Sequence, residues 1–150
     1  MTPPAGGSGY RRNNGWTRAR WWAAHRRAHP SPVEAEIRQA IAARGWRSWF
    51  EVEIRHPDGM PQFLDVLTLV PGLGLLAIEI DGSNGWHFTE TTSGGSNHSM
   101  AWYDGRKVEL LRSRGIPILF FPARLARARN ALAMRLDDLA LAGARQGALL

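Results

Sequence analysis

Hydrophobic positions along this chain recur in two periods, and the changes of period mark its elements. Val33, Ile37 and Ile41 stand at helical spacing, giving a helix that starts at 32 one apolar side. Ser31-Pro32-Val33-Glu34 starts that helix. The serine can accept from a first-turn amide, the glutamate can reach back to the serine amide, and proline occupies the first helical position, where its missing N–H costs nothing. Gly45 ends the helix. Short, mostly apolar runs then predict strands over 49–55, 62–70 and 75–81, separated by the turn signals His56-Pro57-Asp58-Gly59 and Pro71-Gly72. Residues 82–99 form a polar stretch rich in Gly, Ser, Thr and Asn. A loop that long inside a compact domain is usually functional or disordered. A helix over 100–114 closes at Gly115, and 116–121 read as a short apolar strand. Pro122 opens a final helix to about 142, with Leu125, Leu132, Leu136 and Leu139 on one face and Arg124, Arg127 and Arg135 on another. From Ser31 onward the chain thus reads as one α/β domain, without internal repeats.

Residues 1–30 follow neither period. The first ten are rich in Pro, Gly and Ser and are expected to be disordered. Arg11, Arg12, Arg18, Arg20, Arg26 and Arg27 follow, interleaved with Trp16, Trp21 and Trp22, and no acid precedes Glu34. Two readings stand side by side: a flexible cationic arm with stacking groups for nucleic acid, or a short helix that docks its tryptophans on the domain.

Composition narrows the function classes. At 150 residues, 44% of them hydrophobic, the chain can bury the core of one domain. With no cysteine, disulfides, thiolate zinc sites and a cysteine nucleophile are excluded. No apolar run is long enough for a membrane span, and the N-terminus lacks the apolar segment of a signal peptide, so a cytoplasmic protein is expected. The net charge is +6, and Lys107 is the only lysine among 19 basic residues. Arginine-rich basicity suggests a polyanionic partner such as DNA. A GC-rich genome would equally enrich Arg, Ala and Gly.

Candidate chemistry lies between Phe63 and His87. The run Leu75-Leu76-Ala77-Ile78-Glu79-Ile80-Asp81 is apolar except at Glu79 and Asp81, which project from one face. Asp65 interrupts the apolar run Phe63-Leu64-Asp65-Val66-Leu67. If Pro71-Gly72-Leu73 is the hairpin loop and Val70 pairs with Gly74, Asp65 lies opposite Glu79, with Cβ atoms roughly 5 Å apart. Carboxylates that close need a proton or a cation between them. Hard oxygen donors without cysteine favour Mg2+ or Mn2+ over softer-ligand metals. A two-residue loop would put Asp65 on the other face, and pairing with arginines would make the acids purely structural. His87 follows at the mouth of the long loop, where a histidine can serve as general base.

In order and spacing these motifs resemble the restriction-endonuclease-like superfamily. The match is to the group similar to very-short-patch-repair endonucleases, which includes small bacterial and phage proteins and homing endonucleases with an E…D…H…D signature. Ser31-Pro32-Val33-Glu34 is similar to the opening helix, Phe63-Leu64-Asp65-Val66 to the strand with the metal-binding aspartate, and Ile78-Glu79-Ile80-Asp81-Gly82 to the next strand. Trp86-His87 holds the place of an aromatic and a histidine, and Asp104, Lys107, Leu111 and Gly115 that of a following helix. The superfamily's usual lysine, two after the acid, is Asp81 here.

The resemblance implies a restriction-endonuclease-like core over 31–150, with a central mixed β-sheet flanked by helices behind the basic arm of 1–30. It implies phosphodiester hydrolysis on DNA. Asp65, Glu79 and Asp81 would hold Mg2+ or Mn2+, His87 would be the base, and Asp104 and Glu34 would support the site. Arg11, Arg12, Arg18, Arg20, Arg106 and Lys107 would meet phosphates, and Trp86 would stack on or wedge beside a base. A single site in so small a chain fits nicking by a monomer or double-strand cutting by a homodimer. The rival reading is a non-catalytic DNA-binding or phage/defence assembly module that keeps the fold.

Overall fold

A computed structural model describes residues 12–81, 96–122 and 129–148, with the side chains of 12–16, 81, 96–104, 122, 129, 147 and 148 outside that description. The elements are α1 (Arg12–Ala28), α2 (Pro32–Ala43), β1 (Ser48–Arg55), β2 (Pro61–Val70), β3 (Gly74–Asp81), α3 (Ser96–Ser113), β4 (Ile118–Pro122) and α4 (Arg129–Ala148). Each β-strand lies within two residues of its expected bounds. Helix α3 starts four residues earlier than its periodicity suggests, shortening the expected loop. Arg12–Ala28 is helical, as one of the two readings of the basic arm has it, but the side chains that tie it to β1 include Arg20, Arg26 and Arg27, and Trp22 is exposed.

The four strands form one mixed sheet in the order β1-β2-β3-β4. Two hairpins make β1, β2 and β3 antiparallel, while the passage through α3 brings β4 in parallel to β3. The β2–β3 register is the one the carboxylate argument requires, with Val70 opposite Gly74 and Val66 opposite Ile78. Its turn follows from Pro71 and Gly72. Proline presets the first central position, Gly72 takes φ +82°, and Leu73 N donates to Val70 O at 3.0 Å.

Helices cover the sheet on both faces. Ile37 and Ile41 of α2 and Leu132 and Leu136 of α4 pack with Val66, Val70, Leu76, Ile78 and Phe121. On the other face Leu110 and Leu111 of α3 pack with Ile54, Leu64 and Ala77. The buried positions Ile37, Ile41, Leu132 and Leu136 belong to the stripes expected on α2 and α4, with Leu125 outside the described residues. Pro122, expected to open the last helix, ends β4 instead, and α4 runs six residues past its expected end at 142. Arg44 fastens α2 to α4, donating to Ala133 O at 3.1 Å and Asp137 Oδ1 at 2.7 Å.

Helix α4 also presses its backbone on the β2–β3 turn. A Cβ on Gly143 would lie 2.0 Å from Pro71 O, and one on Gly72 would lie 1.9 Å from Gly143 O. Neither obstacle is a flexible side chain, so relief requires a backbone shift. Gly143→Ala is therefore expected to cost about 1–3 kcal/mol, read as a lower thermal midpoint; an unchanged midpoint would refute this contact.

Candidate active site

Local departures from regular strand geometry build the site. Phe50 and Val52 stand two apart on β1 yet pack in different cores, as do their partners Val66 and Leu64 on β2. The pleat changes phase between them, at Glu51 and Asp65. Glu51 has φ +49°, a left-handed conformation that non-glycine residues rarely adopt in a strand. It is nevertheless almost fully buried, at 1% exposure.

Strands β2 and β3 separate at the same level. Their ladder reaches Val66↔Ile78 and does not continue through Asp65 and Glu79. The two carboxylates replace the ladder across the gap. Asp65 N donates to Glu79 Oε1 at 3.1 Å, and Ile80 N donates to Asp65 Oδ2 at 2.7 Å. Lys107 on α3 donates from Nζ to Glu79 Oε2 at 2.9 Å, with both residues buried. Arg26 on α1 grips Glu51 through two bonds, Nε to Oε1 at 3.0 Å and Nη2 to Oε2 at 3.1 Å.

Glu34 enters from α2 and is aimed by its capping box. Ser31 N donates to Glu34 Oε2 at 2.7 Å, and Glu34 N donates to Ser31 Oγ at 3.2 Å. One carboxylate oxygen each from Glu34, Glu51 and Asp65 lies within 4.8 Å of the other two. Among the described residues this is the group that could hold a metal ion. Ser31→Ala removes the acceptor of the Glu34 amide and should cost about 0.5–2 kcal/mol of stability, measurable by denaturation, while the backbone amide at position 31 still holds the Glu34 carboxylate, so Mn2+ titration should change little.

Among the described residues the cluster gathers more acidic groups than cations. Glu34, Glu51, Asp65 and Glu79 converge, and among the described residues Arg26 donates to Glu51 and Lys107 to Glu79. Burial, then the Glu79 carboxylate, push the Asp65 pKa up to about 7, against the Ile80 amide and the Lys107 ammonium. Burial also raises the Glu51 pKa, with Arg26 opposing it. Near neutral pH the cluster therefore holds a proton where a divalent cation would serve equally well.

The structure thus joins Asp65, Glu79 and Glu34 of the expected site residues and adds Glu51. Arg106, expected at phosphates, instead donates from Nη2 to Asp58 Oδ2 at 2.9 Å and ties α3 to the β1–β2 turn. Arg20, also expected there, bridges Glu53 at 2.7 Å. Lys107, a third such residue, is buried on Glu79 and does not offer a surface phosphate contact. Arg18 is exposed. Arg11, Trp86 and His87 lie outside the described residues, as do the side chains of Arg12, Asp81 and Asp104.

Glu51 escaped the sequence reading because it and Glu53 look like the solvent face of an alternating strand. The signal was present in the first hairpin. Carrying its Arg55↔Pro61 pairing back along the strands puts Glu51 opposite Asp65. Compared with known proteins, the chain matches no family model, no curated protein and no solved structure.

Proposed function

We propose that this chain is a divalent-metal-dependent endonuclease that nicks or cuts DNA, on a restriction-endonuclease-like core. The observation that carries the reading is the convergence of Glu34, Glu51 and Asp65 beside the Lys107-bound Glu79. Hard oxygen donors with a charge deficit fit Mg2+ or Mn2+. The resemblance of the Asp65, Glu79 and His87 motifs to the repair-endonuclease group turns that site toward phosphodiester hydrolysis.

Glu34, Glu51 and Asp65 would hold the ion, which when bound polarises a phosphate oxygen and acidifies a water. Glu79 lines the same gap between β2 and β3, paired with Lys107 and aligned by Asp65 N. Arg26 covers both Glu51 oxygens and must yield at least one of them to an ion. By the resemblance, His87 accepts the proton of the attacking water, Asp104 orients it, and Asp81 is an additional ligand.

Lys107 supplies the cation missing from the strand position of Asp81, from a helix instead of from β3. The rival reading, a non-catalytic DNA-binding module, draws on the same contacts, because Glu79 and Glu51 are already bound within the chain. Plasmid nicking separates the two. Supercoiled DNA with Mg2+ should be converted to open circles, and EDTA should stop the conversion. Intact plasmid at stoichiometric protein would leave the binding module as the better account.

A further inference from the structure

Helix α1 buries its small residue Ala23 and leaves the rings of Trp22, His25 and His29 exposed, with Trp21 half-buried. Its inner face meets β1 through Ala23, 1% exposed, and through arginines: Arg20 to Glu53, Arg26 to Glu51, and Arg27 to Phe50 O and Glu51 O. The opposite stripe carries Arg18, Trp22, His25 and His29 at helical spacings of four, three and four, with Trp21 beside it. Trp22 is 37% exposed, and Arg18, His25 and His29 are exposed too.

The rings form a continuous chain. Trp21 stacks on His25 with centroids 5.2 Å apart and planes 7° apart. Trp22 lies edgewise to both, at 4.9 Å from Trp21 and 5.8 Å from His25. His25 leads on to His29 at 4.8 Å. Burial on the domain does not account for the exposed part of this order, since Ala23 is the buried residue among the described side chains of the helix, while Trp22, His25 and His29 are exposed and Trp21 is half-buried. No acid occurs between residues 12 and 33, so nothing on the helix repels a phosphate chain.

We propose that this outer stripe of α1 binds single-stranded nucleic acid, with its rings stacking on unpaired bases and Arg18 meeting a phosphate. Aromatic rings stack on any base, whereas the bases of an intact duplex already stack on each other. The proposal rests on the nuclease reading for its meaning, and it specifies the substrate. A strand lying on α1 sits one helix diameter, about 10 Å, from Glu51, which Arg26 holds from the inner face. The favoured substrate is then DNA with unpaired bases next to the bond to be cut, and not continuous duplex.

Fluorescence anisotropy with a labelled oligothymidylate, and with a hairpin duplex of equal length, tests this in EDTA, where no cutting occurs. The wild type should bind the single strand at least about tenfold more tightly than the duplex. Trp22→Ala with His25→Ala should lose on the order of tenfold or more for the single strand, while Trp22→Phe with His25→Phe should keep most of it. Arg18→Gln should reduce the salt dependence of binding. The substituted side chains are surface rings, and a melting curve confirms that each variant is folded. Equal binding by the alanine variant, or a preference for duplex, would overturn the proposal. So would an alanine variant that loses self-association in size-exclusion chromatography while binding the strand normally. Magnesium-dependent plasmid nicking by the wild type reports separately on the nuclease reading. Nicking without ring-dependent strand binding sinks only this inference, and ring-dependent binding without nicking sinks only that reading.

Discussion

Asp65→Asn is expected to abolish magnesium-dependent nicking, by on the order of a thousandfold, and at the same time to raise the melting temperature of the metal-free protein. The two effects share a cause. Burial and the neighbouring Glu79 raise the Asp65 pKa to about 7 from its ordinary 3.8. Between those values the folded chain binds more protons than the unfolded chain. Stability contributed by this group is therefore full below the lower value, falls as pH rises through the window, and reaches its minimum above about 7. Asparagine keeps the shape and an oxygen for the Ile80 amide but removes the charge. The wild type should lose stability from pH 5 to 8 in thermal melts, and the variant should lose much less. Mn2+ should stabilise the wild type most at the upper end, where it replaces no proton, and should leave the variant nearly unchanged. A variant that nicks like wild type, or melts lower than wild type at pH 8, would contradict this role for Asp65.

Lys107→Met is expected to destabilise the fold by about 3–5 kcal/mol, the usual cost of leaving one member of a buried ion pair alone. The ammonium lies 2.9 Å from Glu79 Oε2 in a place that water hardly reaches. Losing it also removes an influence that lowers the Asp65 pKa, so proton retention by Asp65 should extend to higher pH. Combining Lys107→Met with Glu79→Gln should recover much of the lost stability, because neither member of the pair is then left charged without the other. Urea denaturation of the two single variants and the double variant gives the coupling directly. Additive losses would mean that the pair is not a unit.

Much of this arrangement is legible in the residues. Val33, Ile37 and Ile41 and the Ser31 capping box locate α2, and Pro71-Gly72 marks the turn, whose three-residue form, one of two the sequence left open, brings Asp65 opposite Glu79. Both follow from short-range rules, a period and a turn type. What the sequence hides depends on longer distances. Lys107 reaches Glu79 only once α3 lies across the sheet, and its position in a polar run gives no hint of burial. Arg26 reads as one of several surface arginines, because nothing local reveals which side of α1 faces β1. Glu51 takes part through a left-handed backbone angle, and side-chain periodicity assumes that such angles are absent from strands. The basic arm misleads in the same way. Its arginines raise the net charge, yet Arg20, Arg26 and Arg27 face β1.

Whether Glu34, Glu51 and Asp65 together hold a divalent cation is read directly from an anomalous difference map of crystals soaked in Mn2+. One strong peak per chain is expected, with carboxylate oxygens of those residues at roughly 2.0–2.4 Å and Arg26 displaced from at least one Glu51 oxygen. The absence of any peak at saturating Mn2+, with the Arg26–Glu51 pair intact, would contradict a metal site there.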